Sequence, residues 1–118
     1  MVVFKNEKNV EDRREDLRFP IKVKAALKGE GGMKCLGTTE NLSTTGALFN
    51  ISQSTNADDL HDGQMCTFAL MLTIDGQHSP VVFNCRIMHI SERGVGIRFV
   101  SGEENSMELL EAFMVTKF

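Results

Sequence analysis

At 118 residues, with 42% hydrophobic and 25% charged residues, the chain has the size and make-up of one soluble globular domain. Its formal net charge of −3 argues against the basic face that DNA or RNA binding requires, but not against a small anion held by a local cationic cluster. No apolar run approaches the roughly 20 residues that span a bilayer, and Met1–Glu7 lacks the features of a signal peptide, so a cytoplasmic protein without membrane insertion is expected.

Residues 1–12 are polar and charged apart from Val2, Val3, Phe4 and Val10, and they show no sustained period. They read as a flexible N-terminal arm ahead of a domain over residues 13–118. Asp12-Arg13-Arg14-Glu15-Asp16-Leu17-Arg18 then packs three arginines and three acids together. Such a run is a solvated charge cluster unless a second signal accompanies it. From Leu17 the pattern alternates: Leu17, Phe19, Ile21, Val23, Ala25 and Leu27 share one face, with Arg18, Lys22, Lys24 and Lys28 on the other. Period two predicts a half-buried strand, and Pro20, which has no N–H to donate, predicts an edge. Arg18 falls on the outer face at its start.

Gly29-Glu30-Gly31-Gly32 predicts a turn into a return strand from Met33 to about Leu42. Gly46 opens a third strand with Ala47, Phe49 and Ile51 inward, and Ser52–Gly63 reads as a surface loop. Met65–Ile74 predicts a strand with Cys66, Phe68, Leu70, Leu72 and Ile74 inward; Asp75-Gly76 signals a hairpin. Val81–Ile90 follows with Val81, Phe83, Cys85 and Ile87 inward, then a turn at Glu92-Arg93-Gly94 and a strand to Val100. In the tail, Ser106, Leu109, Leu110, Phe113 and Met114 recur at helical spacing, with Ser101 or Ser106 as a cap. Six short strands and a final helix predict an all-β fold, a six-stranded antiparallel β-barrel with a C-terminal α-helix. Closure also removes exposed strand edges.

Cys35, Cys66 and Cys85 are odd in number and form no Cys-x-x-Cys pair, so buried reduced thiols are expected rather than zinc ligands or disulfides. His61, His78 and His89 share no metal-ligand spacing, and no metal or cofactor is expected. His89, in line with Phe83, Cys85 and Ile87, reads as a barrel-end residue. Ser43 has no base near it in sequence, so no catalytic residue and no enzyme is expected. Met65, Met71, Met88, Met107 and Met114 read as packing residues.

The second signal is Asn41-Leu42-Ser43-Thr44-Thr45-Gly46, one hairpin after the arginines. Alone it is a turn: Asn and Ser bond nearby backbone and Gly46 supplies a positive φ. Paired with Arg14-x-x-x-Arg18 and with the adjacent Arg13, it resembles the PilZ domain family, bacterial receptors for cyclic di-GMP. Gly94-Val95-Gly96-Ile97-Arg98-Phe99 also looks like that family's late strand. Asn41 stands where Asp is commoner in the family, which admits both. The resemblance runs from about Asp12 to the C-terminal helix. It implies a PilZ-like (split) barrel and a cyclic di-GMP site made of Arg13, Arg14, Arg18, Asn41, Ser43 and Gly46. It also implies a receptor that changes conformation and signals to a downstream protein in motility, biofilm, polysaccharide or virulence control, as a monomer or homodimer. The chemistry is consistent: an arginine fork bonds phosphate bidentately, bonds guanine O6 and N7, or stacks on a base. Residues 1–17 are expected to be mobile without ligand and to close over it. The alternative is a PilZ-like protein-interaction module that binds no nucleotide, but those usually lack the arginine motif.

Overall fold

Apolar side chains at every second position are buried only if each strand turns one face to a shared interior, and a closed antiparallel barrel does this for all six strands. The computed structural model describes residues 18–117. In chain order the elements are β1 (Lys24–Lys28), β2 (Lys34–Leu42), β3 (Gly46–Thr55), β4 (Met65–Ile74), β5 (Gln77–Ser91), β6 (Gly94–Gly102) and α1 (Ser106–Val115). Around the barrel the order is β1-β2-β3-β6-β5-β4, and β1 closes the ring by bonding to both β2 and β4. The expected barrel and C-terminal helix are therefore the observed fold.

Strand β1 corrects one expectation: it begins at Lys24 rather than Leu17, so Pro20 lies ahead of it and not in the strand that is bonded on both sides. The preceding segment runs extended beside β2 but trades ladder bonds for a side chain. Val23 N donates to Thr39 Oγ1 at 2.8 Å, Thr39 Oγ1 donates to Ile21 O at 2.7 Å, and Thr39 N donates to Val23 O at 2.9 Å. Thr39 is buried with both hydroxyl roles filled. Beyond it, β2 bulges between Thr39 and Asn41, and Phe19 pairs with Leu42 in an isolated bridge. That bulge throws Glu40 outward, where it binds Lys22 at 3.2 Å and accepts from Asn50 Nδ2.

The inward sets of β4, β5 and β6 are those the alternation predicts, but Ile51 of β3, expected inward with Ala47 and Phe49, is exposed, because β3 there has run past its last pairing with β6 at Phe49. Cys66, Phe68, Leu70 and Leu72 of β4, Val81, Phe83, Cys85 and Ile87 of β5, and Val95, Ile97 and Phe99 of β6 are buried, with Ile74 half-buried. Phe83 and Phe99 stack at 4.4 Å, while Phe49 meets Phe68 edge-on at 5.2 Å; each such pair adds about 0.5–1.5 kcal/mol beyond its area. At the β4–β5 hairpin, Asp75 and Gly76 have φ of 52° and 81°, the paired left-handed conformations of a two-residue turn. Strand β3 runs on to Thr55, into the region expected to be loop.

The helix is capped differently from expectation. Asn105, not Ser101 or Ser106, holds the N-cap position and makes no side-chain cap bond. Ser106 Oγ instead accepts from Val82 N at 3.0 Å, tying the helix to β5 where β6 has ended. Leu110, Phe113 and Met114 are the buried apolar residues of the helix. Of the methionines expected to pack, Met114 is buried and Met107 half-buried, whereas Met65, Met71 and Met88 are exposed on outward positions. Cys35, Cys66 and Cys85 are buried free thiols, and burial raises the pKa of each.

Candidate functional site

The turn between β2 and β3 is built around one hydroxyl. Ser43 Oγ accepts from Thr45 N at 3.0 Å and Gly46 N at 3.1 Å, lies 3.0 Å from Thr45 Oγ1, and reaches Gly46 O at 3.3 Å. Ser43 is 2% exposed, so its donor and both lone pairs are spent on the turn. Gly46 is needed for a different reason from the positive φ expected of it. A Cβ there would stand 2.1 Å from Ile97 O, so the glycine lets β3 and β6 approach. Thr45 O completes the frame by accepting from Phe99 N at 2.8 Å.

This frame sets three elements side by side. The Phe19–Leu42 bridge is antiparallel and so brings Arg18 next to Ser43. Gly46 pairs with Arg98 of β6, and Arg98 pairs with Arg86 of β5. Strand β5 bulges between Ile87 and His89, which turns His89 away from the interior, opposite Gly96. His89 is therefore exposed rather than one of the inward residues of β5. Its ring lies on the bare face of Gly96, where an added Cβ would fall 2.2 Å from Cε1. The result is a groove of about 370 Å³ lined by Arg18, Thr45, Met88, His89, Gly96 and Arg98.

Among its described lining residues the groove carries Arg18 and Arg98 and no carboxylate. Among the described residues, neither Arg86 nor Arg98 is paired with a carboxylate. Like charges opposite one another across a ladder are destabilising, so this pair is tolerated at a cost that an anionic ligand would remove. Asn41 lies opposite Leu48, which pairs with Gly96 of the groove, and its Oδ1 is buried with no hydrogen-bond partner among the described residues. An orphaned acceptor costs about 1–3 kcal/mol, and a ligand N–H would recover it.

Of the residues expected at the site, the structure brings Arg18, Asn41, Ser43 and Gly46 together; Arg13 and Arg14 lie outside the described residues, as does the proposed arm. Arg98, His89 and Thr45 were not singled out from the sequence. Arg98 appeared only within the stretch resembling the family's late strand, and His89 read as a barrel-end residue because the bulge hides its facing. A larger cavity of about 680 Å³ lies elsewhere, but Glu30 and Asp58 line it, which does not suit an anion. No group of three or more His, Cys, Asp or Glu able to hold a metal occurs among the described residues.

The PilZ domain family model matches residues 12–115. The chain belongs to the PilZ domain family. Its PilZ barrel is similar to the structure of the Bacillus subtilis inhibitor of motility MotI/DgrA, with a TM-score of 0.67 at 9% identity over 86% of this chain and 49% of that one. The chain thus spans about half the length of that protein. It is also similar to the PilZ domain of CeSA from a cellulose-synthesizing bacterium, with a TM-score of 0.61 at 17% identity over 86% of this chain and 99% of that one. At such identities these neighbours establish the PilZ fold. None of the curated proteins compared matches the chain. PilZ domains are binding modules, and no helix among the described residues is long and apolar enough to cross a membrane.

Proposed function

We propose that this PilZ domain protein is a receptor for cyclic di-GMP that passes the signal to a downstream protein. The observation that carries this reading is the convergence of Arg18 and Arg98 on one groove, beside a turn whose Asn41 offers a buried unpartnered acceptor. The ligand has two phosphates and two guanines. Arginine forks suit both, by bidentate bonding to phosphate or to guanine O6 and N7. Asn41 Oδ1 would accept from the N–H groups of a guanine edge. His89, flat on Gly96, offers a ring face against which a base can stack.

In this reading Arg13, Arg14 and Arg18 clamp the ligand from the N-terminal side while Asn41, Ser43 and Gly46 form the opposing wall. Ser43 and Gly46 act through the frame they hold; Asn41 acts through contact. Closing residues 1–17 over the ligand would consume about 2–5 kcal/mol of the contact energy and alter the surface offered to a partner. The site needs no metal or cofactor beyond the ligand. Motility or polysaccharide synthesis, the contexts named for the two structural neighbours, are the processes we propose such a partner serves.

Calorimetric titration with cyclic di-GMP tests the reading. Saturable binding that is lost in Arg14→Ala and weakened in Arg18→Ala is expected. Absence of saturable heat at moderate salt would instead favour a PilZ interaction module that binds no nucleotide. Hydrogen exchange of residues 1–17 tests the closure separately: unchanged exchange despite binding would refute it.

A further inference from the structure

The basic residues of the barrel are sorted by type. The arginines Arg18, Arg86 and Arg98 lie around β5 and β6, whereas Lys24, Lys28 and Lys34 stand on the outer face of β1 and β2. In the ring order β1-β2-β3-β6-β5-β4, β1 is opposite β6 and β2 is opposite β5, so the lysines occupy the wall facing away from the arginine groove. Lysines on an outer strand often guard an exposed edge against pairing. That explanation fails here, because β1 is bonded on both sides.

The lysine wall leads into a cleft of about 330 Å³ between β1, the β4–β5 hairpin and the end of α1. Its apolar surface comes from Ile21, Met71 and Phe113, and its rim from Lys22, Lys24 and Lys117, with no carboxylate among its described lining residues. Met71 is 45% exposed although it sits in the middle of a strand. Lys117 lies 4.9 Å from the Phe113 ring, which holds its ammonium at the cleft mouth. Lys22 is bound to Glu40, leaving Lys24 and Lys117 as the rim cations without an acidic partner among the described residues.

We infer that this cleft is a docking site for an acidic segment of a partner protein, one carrying an apolar side chain between glutamates or aspartates. The apolar side chain would enter against Met71, Ile21 and Phe113, and the flanking carboxylates would meet Lys24 and Lys117. Lys28 and Lys34 extend the positive wall for a longer acidic stretch. Charge complementarity selects this occupant. Lysines are point charges that serve diffuse acidic contacts, in contrast to the forked arginines on the other wall. A flat lipid surface does not fill a concave cleft, and nucleic acid is disfavoured by a chain of net charge −3. The inference does not depend on nucleotide binding, since no residue lines both the cleft and the arginine groove.

The test is fluorescence anisotropy with a fluorescein-labelled Glu-Glu-Phe-Leu-Glu-Glu peptide, with amide shift mapping by NMR on the full chain. Saturable binding is expected, weakened at least tenfold by the double substitution Lys24→Glu, Lys117→Glu and by Met71→Glu, all at exposed positions, and unchanged by Arg93→Glu on the β5–β6 turn. Shifts should centre on Ile21, Lys24, Met71 and Lys117. Unchanged melting of the variants will show that they are folded. The inference is overturned if the peptide does not saturate, if the Lys24 and Lys117 variant binds as wild type, or if the shifts centre on the arginine groove. It is equally overturned if phosphatidylserine vesicles compete the peptide away, which would make the wall a lipid surface.

Discussion

Replacing Ser43 with alanine removes the hydroxyl on which the β2–β3 turn is built, and its consequence can be worked out from the contacts. The buried Gly46 N–H loses its acceptor, an orphaning that costs about 1–3 kcal/mol. The partly exposed Thr45 N–H can turn to water, so its loss is about 0.5–1.5 kcal/mol. Together they give about 2–4 kcal/mol, a large share of the roughly 5–15 kcal/mol that holds a domain folded. For 118 residues the unfolding entropy is about 0.25 kcal/mol per kelvin, so the melting temperature should fall by about 8–16 °C. Thr44→Ala is the matched control, because Thr44 is exposed and should change stability by no more than about 0.5 kcal/mol. Urea denaturation of both variants gives the free energies. A Ser43→Ala cost below about 0.5 kcal/mol, or one equal to that of Thr44→Ala, would refute the idea that this serine holds the turn. It would also leave the serine free to contact ligand directly.

Arg98→Gln should weaken cyclic di-GMP binding by about 5- to 150-fold, the range set by 1–3 kcal/mol for a bidentate contact, while leaving stability equal or slightly higher because the Arg86–Arg98 opposition is relieved; calorimetry and melting read the two effects separately. Gly96→Ala should reduce binding with little loss of stability, since the new methyl displaces only the exposed His89 ring; NMR shifts of the His89 ring check the displacement. Burial pushes the pKa of the Cys85 thiol up to about 12, from an ordinary value of 9.0. The folded state thus binds one more proton than the unfolded state between these values, so its stabilisation is complete below pH 9 and is lost as pH rises towards 12, at about 1.4 kcal/mol per pH unit. Urea melts at pH 8, 9.5 and 10.5 should show a steeper decline than in Cys85→Ala, and Ellman's reagent should react slowly with all three thiols until the chain is unfolded.

Most of the barrel was legible because its inward residues alternate over long stretches between bulges. Met65–Ile74 is the clearest instance: its bounds and buried set agree with the sequence pattern, and Asp75-Gly76 marks the turn that follows. Alternation misleads where the chain is extended but unpaired. Phe19, Ile21 and Val23 keep the period of a strand, yet Phe19 makes only an isolated bridge to Leu42, while Ile21 O and Val23 N bond the Thr39 hydroxyl, contacts between positions far apart in sequence. Bulges are illegible for a related reason. The extra residue near Met88 reverses the facing of His89, and nothing local to Met88-His89 announces it. The site was half readable. Asn41, Ser43 and Gly46 stood out by spacing, but the alignment of Arg98 with Gly46 and Arg86 depends on strand register, which a single sequence does not display. Ser43 and Gly46 illustrate a further point: residues that mark a ligand-binding motif can earn their places by building the frame.

Titration of the full chain with cyclic di-GMP, alongside Arg18→Ala and Arg98→Ala, tests the central claim most directly. Wild type should bind saturably at moderate salt, and each variant should bind at least about fivefold more weakly, as expected for loss of a fork contact worth 1–3 kcal/mol. A wild-type chain that shows no saturable binding, or variants that bind as tightly as wild type, would contradict it.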